Sequence, residues 1–290
     1  MTKKIPKTIG FIGSGIIGTG MVQNLLLNGF EVNIFAHKNR EPIDRLIASG
    51  AKEQTSLMEV TKKSRAVILC LPNSKTVSSV LAKIVPHLER NALIIDCTTN
   101  EVTAVENFWT KAFSAELRYA EAPLTGGQCQ AETAALGAIV GCKLEDFDEI
   151  KTVLKPCCQT IERFGDIGTG AKTKLISNFL ALGTATLVVE AMKAARDFGV
   201  DWDKFYKLAS QGSGRSMSLD RIAPKAIKGD YDGYVFTIAN ALKDLSYIRD
   251  IFDTQQDYGK MAQLLFDIYQ KSSCEGKAEQ FLSNRLDPRN

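Results

Sequence analysis

Lys174 and Asn178 stand four residues apart in a segment that opens on Gly168 and Gly170 and continues as a long, largely apolar helical pattern to about residue 198. Side chains at i and i+4 share one helix face. Partial burial brings a lysine pKa down towards a useful general-acid range, so Lys174 is a candidate proton donor. The competing reading is a lysine that only snorkels to water. Lys172 is close in sequence but on another face. Upstream, Thr125, Gly126 and Gly127 offer a hydroxyl and backbone N–H groups, which would make either a nest for a small anion such as a carboxylate or a plain turn. The only histidines are His37 and His87, so multi-histidine metal sites are excluded, a His-based triad or a His general acid is not expected, and proton chemistry is expected from Lys, Tyr, Cys or a carboxylate.

A second group of residues speaks for a nucleotide. Gly13-Ser14-Gly15-Ile16-Ile17-Gly18 is a G-x-G-x-x-G between an apolar strand pattern at residues 8–12 and a helix whose Met21, Val22, Leu25 and Leu26 share a face. In that context Gly13 permits the tight turn and Gly15 lets the backbone approach a pyrophosphate. Gly18 allows close helix–strand packing, and the helix N-terminus supplies free N–H groups. A ribose-binding acid is expected at the end of the following strand. Residues 35–40 carry none; they carry His37, Lys38 and Arg40, which would attract a 2′-phosphate. NADP is therefore expected, with NAD as second choice.

These groups need elements to hold them. The apolar run at residues 66–71 ends at Pro72 and reads as a central parallel strand buried on both faces. Leu71 and Pro72 then lie at a strand's carboxyl end, where ligands bind in open α/β sheets. Another short strand at residues 93–96 precedes Thr98 and Thr99, whose hydroxyls either reach the cofactor or cap the next helix. Strands and helices alternate to about residue 165, which argues for a doubly wound parallel sheet.

Composition is that of an ordinary globular chain: 290 residues, 44% hydrophobic and 24% charged, with 36 basic against 33 acidic residues for a net charge of +3. That balance gives no electrostatic case for nucleic acid or membrane partners. The uncharged run at residues 175–189 contains Ser, Asn, Gly and Thr and reads as a buried helix between domains rather than a membrane span. Seven cysteines with no C-x-x-C fit neither a disulfide framework nor a zinc site, so reduced thiols in a cytoplasmic protein are expected.

Four motifs in one order resemble the β-hydroxyacid dehydrogenase family, which includes 3-hydroxyisobutyrate dehydrogenases and semialdehyde reductases. The cofactor motif matches residues 10–18, and the substrate motif, usually D-A-P-V-S-G-G, is similar to residues 121–127. The catalytic pattern G-x-G-x-x-x-K-x-x-x-N matches Gly168, Gly170, Lys174 and Asn178, and a late K-D-L matches Lys243, Asp244 and Leu245. The departures include Glu121, Leu124 and Thr125 for the usual Asp, Val and Ser, and an unusual Arg215, which would bind a second anionic group or stay solvated.

The resemblance implies an α/β N-terminal Rossmann-like doubly wound parallel sheet, residues 1–165, joined by a long helix to an all-α C-terminal domain, residues 166–290. It implies NAD(P)-dependent interconversion of a small β-hydroxyacid and its semialdehyde or keto acid, with Lys174 as general acid/base. Gly13, Gly15, Ile16, Ile17, Gly18, His37, Lys38, Arg40, Leu71, Pro72, Thr98 and Lys243 would serve the cofactor. Thr125, Gly126, Gly127, Lys174 and Asn178 would hold a carboxylate-bearing substrate, in a homodimer or homotetramer without a metal. An imine reductase on the same fold, or a non-catalytic dinucleotide-binding module, are the alternatives. Lys174 argues against the first, where Asp or Tyr is usual, and the Lys174–Asn178 pair against the second.

Overall fold

The computed structural model describes residues 7–37 and 39–289. The chain divides into two compact units at Lys174/Leu175, inside the long helix that the sequence reading gives to the second domain.

In the first unit the chain runs β1 (Thr8–Ile12), α1 (Ile16–Leu27), β2 (Glu31–Ile34), α2 (Glu41–Ala48), β3 (Lys52–Glu53), α3 (Leu57–Lys62), β4 (Ala66–Leu69), α4 (Ser74–Ile84), β5 (Leu93–Asp96), α5 (Val102–Ser114) and β6 (Arg118–Glu121). It continues through β7 (Leu124–Thr125), α6 (Gln128–Glu132), β8 (Leu136–Gly141), α7 (Phe147–Leu154) and β9 (Cys158–Gly165). The strand order is β3-β2-β1-β4-β5-β6-β8-β7, with β9 also on β8. The first six strands pair in parallel, as the alternating pattern predicts. Beyond them β8 runs antiparallel to β6 and β7, and β9 runs parallel to β8. All four residues of β4 are inaccessible, which explains its unbroken apolar sequence. The chain reverses its winding between β1 and β4, so the carboxyl ends of these two strands flank the crevice where ligands of such sheets sit.

The helix α8 (Thr169–Asp197) begins in the first unit and continues into the second. The second unit adds α9 (Trp202–Ala209), α10 (Met217–Ala226), α11 (Ile238–Ile251) and α12 (Asp257–Ser272). Its interior includes the fully buried Tyr269, whose hydroxyl lies 2.6 Å from that of Thr186. By length and composition alone α8 suffices to cross a membrane. One side is buried, through Leu175, Leu182, Ala185, Val189 and Met192. The other exposes Ile176, Leu180 and Leu187, at 54%, 71% and 69%. This corrects the expectation of a helix buried all round: the apolar residues are continuous in sequence, but the single chain covers only one side.

Candidate functional site

The Gly-rich turn separates two uses of glycine. Gly13 has φ +111°, and a Cβ there would lie 2.1 Å from the carbonyl oxygen of Cys70. A Cβ on Gly18 would lie 2.0 Å from the carbonyl oxygen of Gly13. Both glycines are demanded by the chain's own packing. Gly15 is not: its φ of −76° suits any residue, and a Cβ would meet nothing within 4 Å. Gly15 is the N-cap of α1, no side chain caps this helix, and its first turn holds no acid. Ile16 is largely exposed and Ile17 half-buried beside it. The Ser14 hydroxyl oxygen is buried without a hydrogen-bond partner among the described residues. An open, uncapped helix N-terminus beside a glycine with no internal reason to be one fits a pyrophosphate, whose oxygens would take the N–H groups of the first turn.

The next strand ends are tied to this turn. Leu71 lies against Gly13, and its N–H donates to Thr98 Oγ1 at 3.0 Å. Thr98 is held in turn by its own N–H to Asp96 Oδ1, while Tyr119 and Asn100 donate to Asp96 Oδ2. Burial pushes the Asp96 carboxyl up to about 6 against these hydrogen bonds. Thr98 therefore braces the loop after β4 rather than capping the next helix; the backbone N–H of Glu101 goes instead to Ser74. Gly13, Leu71, Pro72 and Thr98 are thus brought to one edge, at the ends of β1, β4 and β5.

The segment from Thr125 to Gly127 leads into α6, which packs on α1. Asn24 of α1 donates to the Ala131 carbonyl at 2.7 Å, and Gly20 has no Cβ where Ala131 crosses. Gly126 needs its φ of +109° for the turn. Gly127 requires a correction: its N–H, expected to be open to an anion, donates to Gln130 Oε1 at 2.9 Å. The Gln130 side chain folds back on the helix start, a local capping contact that composition does not reveal.

Glu121, at the end of β6, reads in the sequence only as a mild replacement, and the structure gives it a larger part. Its carboxylate is buried and accepts three N–H groups from the start of α8: Gly168 at 2.6 Å, Gly170 at 2.9 Å and Ala171 at 2.8 Å. Burial pushes it up to about 7, the three N–H groups oppose the shift, and neighbouring Asp96 adds to it. Lys174 follows on the same helix and is itself buried, at 9% exposure. The signal in the sequence is a helix start made of glycines, with no side chain of its own to cap it and an acid 47 residues upstream.

In the second unit Asn178 donates to Asp244 Oδ2 at 2.6 Å. Lys243 lies 3.1 Å from the other oxygen of Asp244 and over the Tyr247 ring. The K-D-L motif thus supplies Asp244 as the partner that holds Asn178. Arg215 is 70% exposed and 3.5 Å from Asp220, a solvated ion pair.

The basic cluster after β2 is divided. Lys38 lies outside the described residues, and His37 is exposed. Arg40 forks onto both oxygens of Glu53 and reaches Asp44 through Nε at 2.9 Å. These hydrogen bonds hold its pKa above the ordinary value, with Glu53 the main cause.

A parallel-dominated sheet with this cradle at its reversal of winding defines an NAD(P)-binding Rossmann-like domain. Residues 8–165 match the NAD-binding domain of 6-phosphogluconate dehydrogenase, and residues 168–284 match the NAD-binding region of NADP-dependent 3-hydroxyisobutyrate dehydrogenase. The chain belongs to the β-hydroxyacid dehydrogenase family of NAD(P)-dependent oxidoreductases. The mitochondrial 3-hydroxyisobutyrate dehydrogenase of Drosophila melanogaster is 28% identical over 277 residues, covering 93% of this chain and 85% of that protein. A Mycobacterium tuberculosis 3-hydroxyisobutyrate dehydrogenase structure with L-serine shares the fold, with a TM-score of 0.86, 23% identity and coverage of 96% and 97%. An imine reductase from a Pseudomonas species is less similar, with a TM-score of 0.65 at 18% identity over 99% and 100% of the two chains.

Proposed function

We propose that this protein interconverts a small β-hydroxyacid and its semialdehyde or keto acid, that it uses NADP in preference to NAD, and that Lys174 is the general acid in reduction and the base in oxidation. The observation that carries the reading is a buried lysine one turn into a helix whose start is tied to the same sheet edge as the Gly13–Gly18 turn. When bound, the nicotinamide cofactor supplies or accepts the hydride.

The chain's own groups do the rest. The Lys174 ammonium gives its proton to the carbonyl oxygen as negative charge develops there, and the neutral amine takes it back from the hydroxyl in oxidation. Thr125 and the Gly126 backbone hold the substrate carboxylate. Asn178 commits one amide hydrogen to Asp244, which fixes the amide plane and leaves its oxygen as an acceptor to orient the reacting groups. Gly13, Gly15, Ile16, Ile17 and Gly18 hold the pyrophosphate, with Leu71, Pro72 and Thr98 beside it. NADP is favoured because no acid stands at residues 35–40. His37, Lys38 and Arg40 would receive the 2′-phosphate.

The exposed Ile176, Leu180 and Leu187 support a homodimer or homotetramer that covers this side of α8. Light scattering that finds only monomer would contradict it. The function itself is tested by NADPH oxidation with glyoxylate, succinic semialdehyde, methylmalonate semialdehyde and tartronate semialdehyde, with NADH in parallel. Turnover of at least one, faster with NADPH, is expected. Binding of NADPH without turnover of any would contradict the reading.

A further inference from the structure

The start of α8 is built in an unusual way. Gly168, with φ +91°, has no side chain to cap the helix, so its first N–H groups need an acceptor from elsewhere. Glu121 supplies both carboxylate oxygens to three of them. The slot around that carboxylate is shaped by two further glycines. A Cβ on Gly141 would come within 2.2 Å of Glu121 Oε1, and one on Gly170 within 3.0 Å of its Cδ and 2.9 Å of the Ile139 carbonyl oxygen. Helix and sheet can approach this closely only because both positions lack side chains.

A helix can be capped at far less cost by a Ser or Asp at its own N-cap. A buried carboxylate on a neighbouring strand does something a local cap does not: it locks the rotation and height of the first helical turn against the sheet. Lys174 lies three residues beyond Ala171, about 4.5 Å along the axis at 1.5 Å per residue. Any roll or slide of the first turn is therefore passed to Lys174 almost undiminished. Aspartate, one methylene shorter by about 1.5 Å, would not reach the same three N–H groups without moving the turn.

We infer that Glu121 is a positioning residue: by clamping the first turn of α8 to the ends of β6 and β8 it sets the place from which Lys174 reaches the substrate. The inference rests on the proposed role of Lys174.

The test is a double-mutant cycle of Glu121→Gln and Lys174→Ala on whichever panel compound turns over, with two readouts that need no substrate. Glu121→Gln keeps the shape but brings an NH2 group against backbone donors. It is expected to lower kcat by about 10–100-fold, since misplacement of a reacting group by about 1 Å can cost 100-fold. KM and the NADPH Kd should change less than threefold. In the Lys174→Ala background the same change should have no further effect, because the clamp acts through the lysine. Peptide hydrogen exchange at residues 168–171 should quicken at least tenfold, and acetylation of Lys174 by acetic anhydride should change several-fold.

Equal and multiplicative losses in both backgrounds would overturn the inference, and so would unchanged exchange and acetylation. Wild-type turnover in Lys174→Ala would refute the role of the lysine and the inference with it. A collapse in Lys174→Ala with an intact Glu121→Gln would refute the inference alone. If Glu121→Gln does not fold, Glu121→Asp serves the same cycle, with a smaller kcat loss expected and the same contradictions.

Discussion

Gly15→Ala should leave the fold nearly unchanged and weaken cofactor binding, whereas Gly18→Ala should destabilise the fold itself. The methyl group that Gly15→Ala adds would point into open space from a backbone that any residue adopts. It meets no atom, and the restriction it places on the unfolded chain, about 0.4–1 kcal/mol, roughly offsets what alanine costs relative to glycine at the N-cap of α1. The methyl group that Gly18→Ala adds would sit 2.0 Å from a carbonyl oxygen of the turn, and relieving that overlap costs about 1–3 kcal/mol or more. For the ligand the first change is the decisive one. A phosphate oxygen must come to about 2.9 Å from the N–H groups it accepts, and a methyl at Gly15 stands in that approach. Loss of two charge-assisted hydrogen bonds at about 1.5–3 kcal/mol each gives at least about 3 kcal/mol, or more than 100-fold in Kd. Thermal melts of the free protein and NADPH fluorescence titrations read the two effects separately. Gly15→Ala that melts close to the wild type but binds at least 100-fold more weakly is expected. Wild-type affinity in Gly15→Ala would refute the cradle, and a collapsed melting temperature would refute the claim that Gly15 is free of internal constraint.

Two other outcomes follow from the buried and exposed charges. Glu121, raised from 4.5 to about 7, and Asp96, raised from 3.8 to about 6, hold protons in the native state that the unfolded chain has released. Their contribution is fully present below the unfolded values and is lost as pH rises through the folded ones. The loss falls between about pH 5 and pH 8, where these carboxyl groups give up their protons in the folded protein. The two face each other across β5 and β6, so the steps belong to the pair. Urea midpoints should fall from pH 5 to pH 8 and fall less in Glu121→Gln; a midpoint that rises over this range would contradict the burial argument. Glu53→Gln should free the Arg40 fork and tighten NADPH a few-fold with NADH unchanged. Equal tightening of both would exclude Arg40 as a reader of the 2′-phosphate.

What can be read without the structure is whatever depends on neighbours in sequence. The G-x-G-x-x-G declares its turn because strand, glycines and helix are contiguous. The unbroken apolar residues of β4 declare a strand covered on both faces. Partner choice over distance is not legible. Glu121 reaches N–H groups 47 residues on, Arg40 turns to Glu53, and Asp244 holds Asn178 across 66 residues. Nor can the pattern tell that Gln130 takes the Gly127 N–H, or that β8 turns antiparallel, since a short apolar strand reads alike in either direction. The apolar residues of α8 suggest burial all round because hydropathy records the need for cover but not whether the same chain supplies it.

Lys174→Ala, assayed for turnover and for NADPH affinity on the same preparation, tests the central claim most directly. Removal of a general acid costs about 100–10,000-fold in rate, so kcat should fall by that much while the NADPH Kd stays within about twofold. A kcat within a few-fold of the wild type would contradict the account, because a buried lysine on a clamped helix would then have no part in the chemistry.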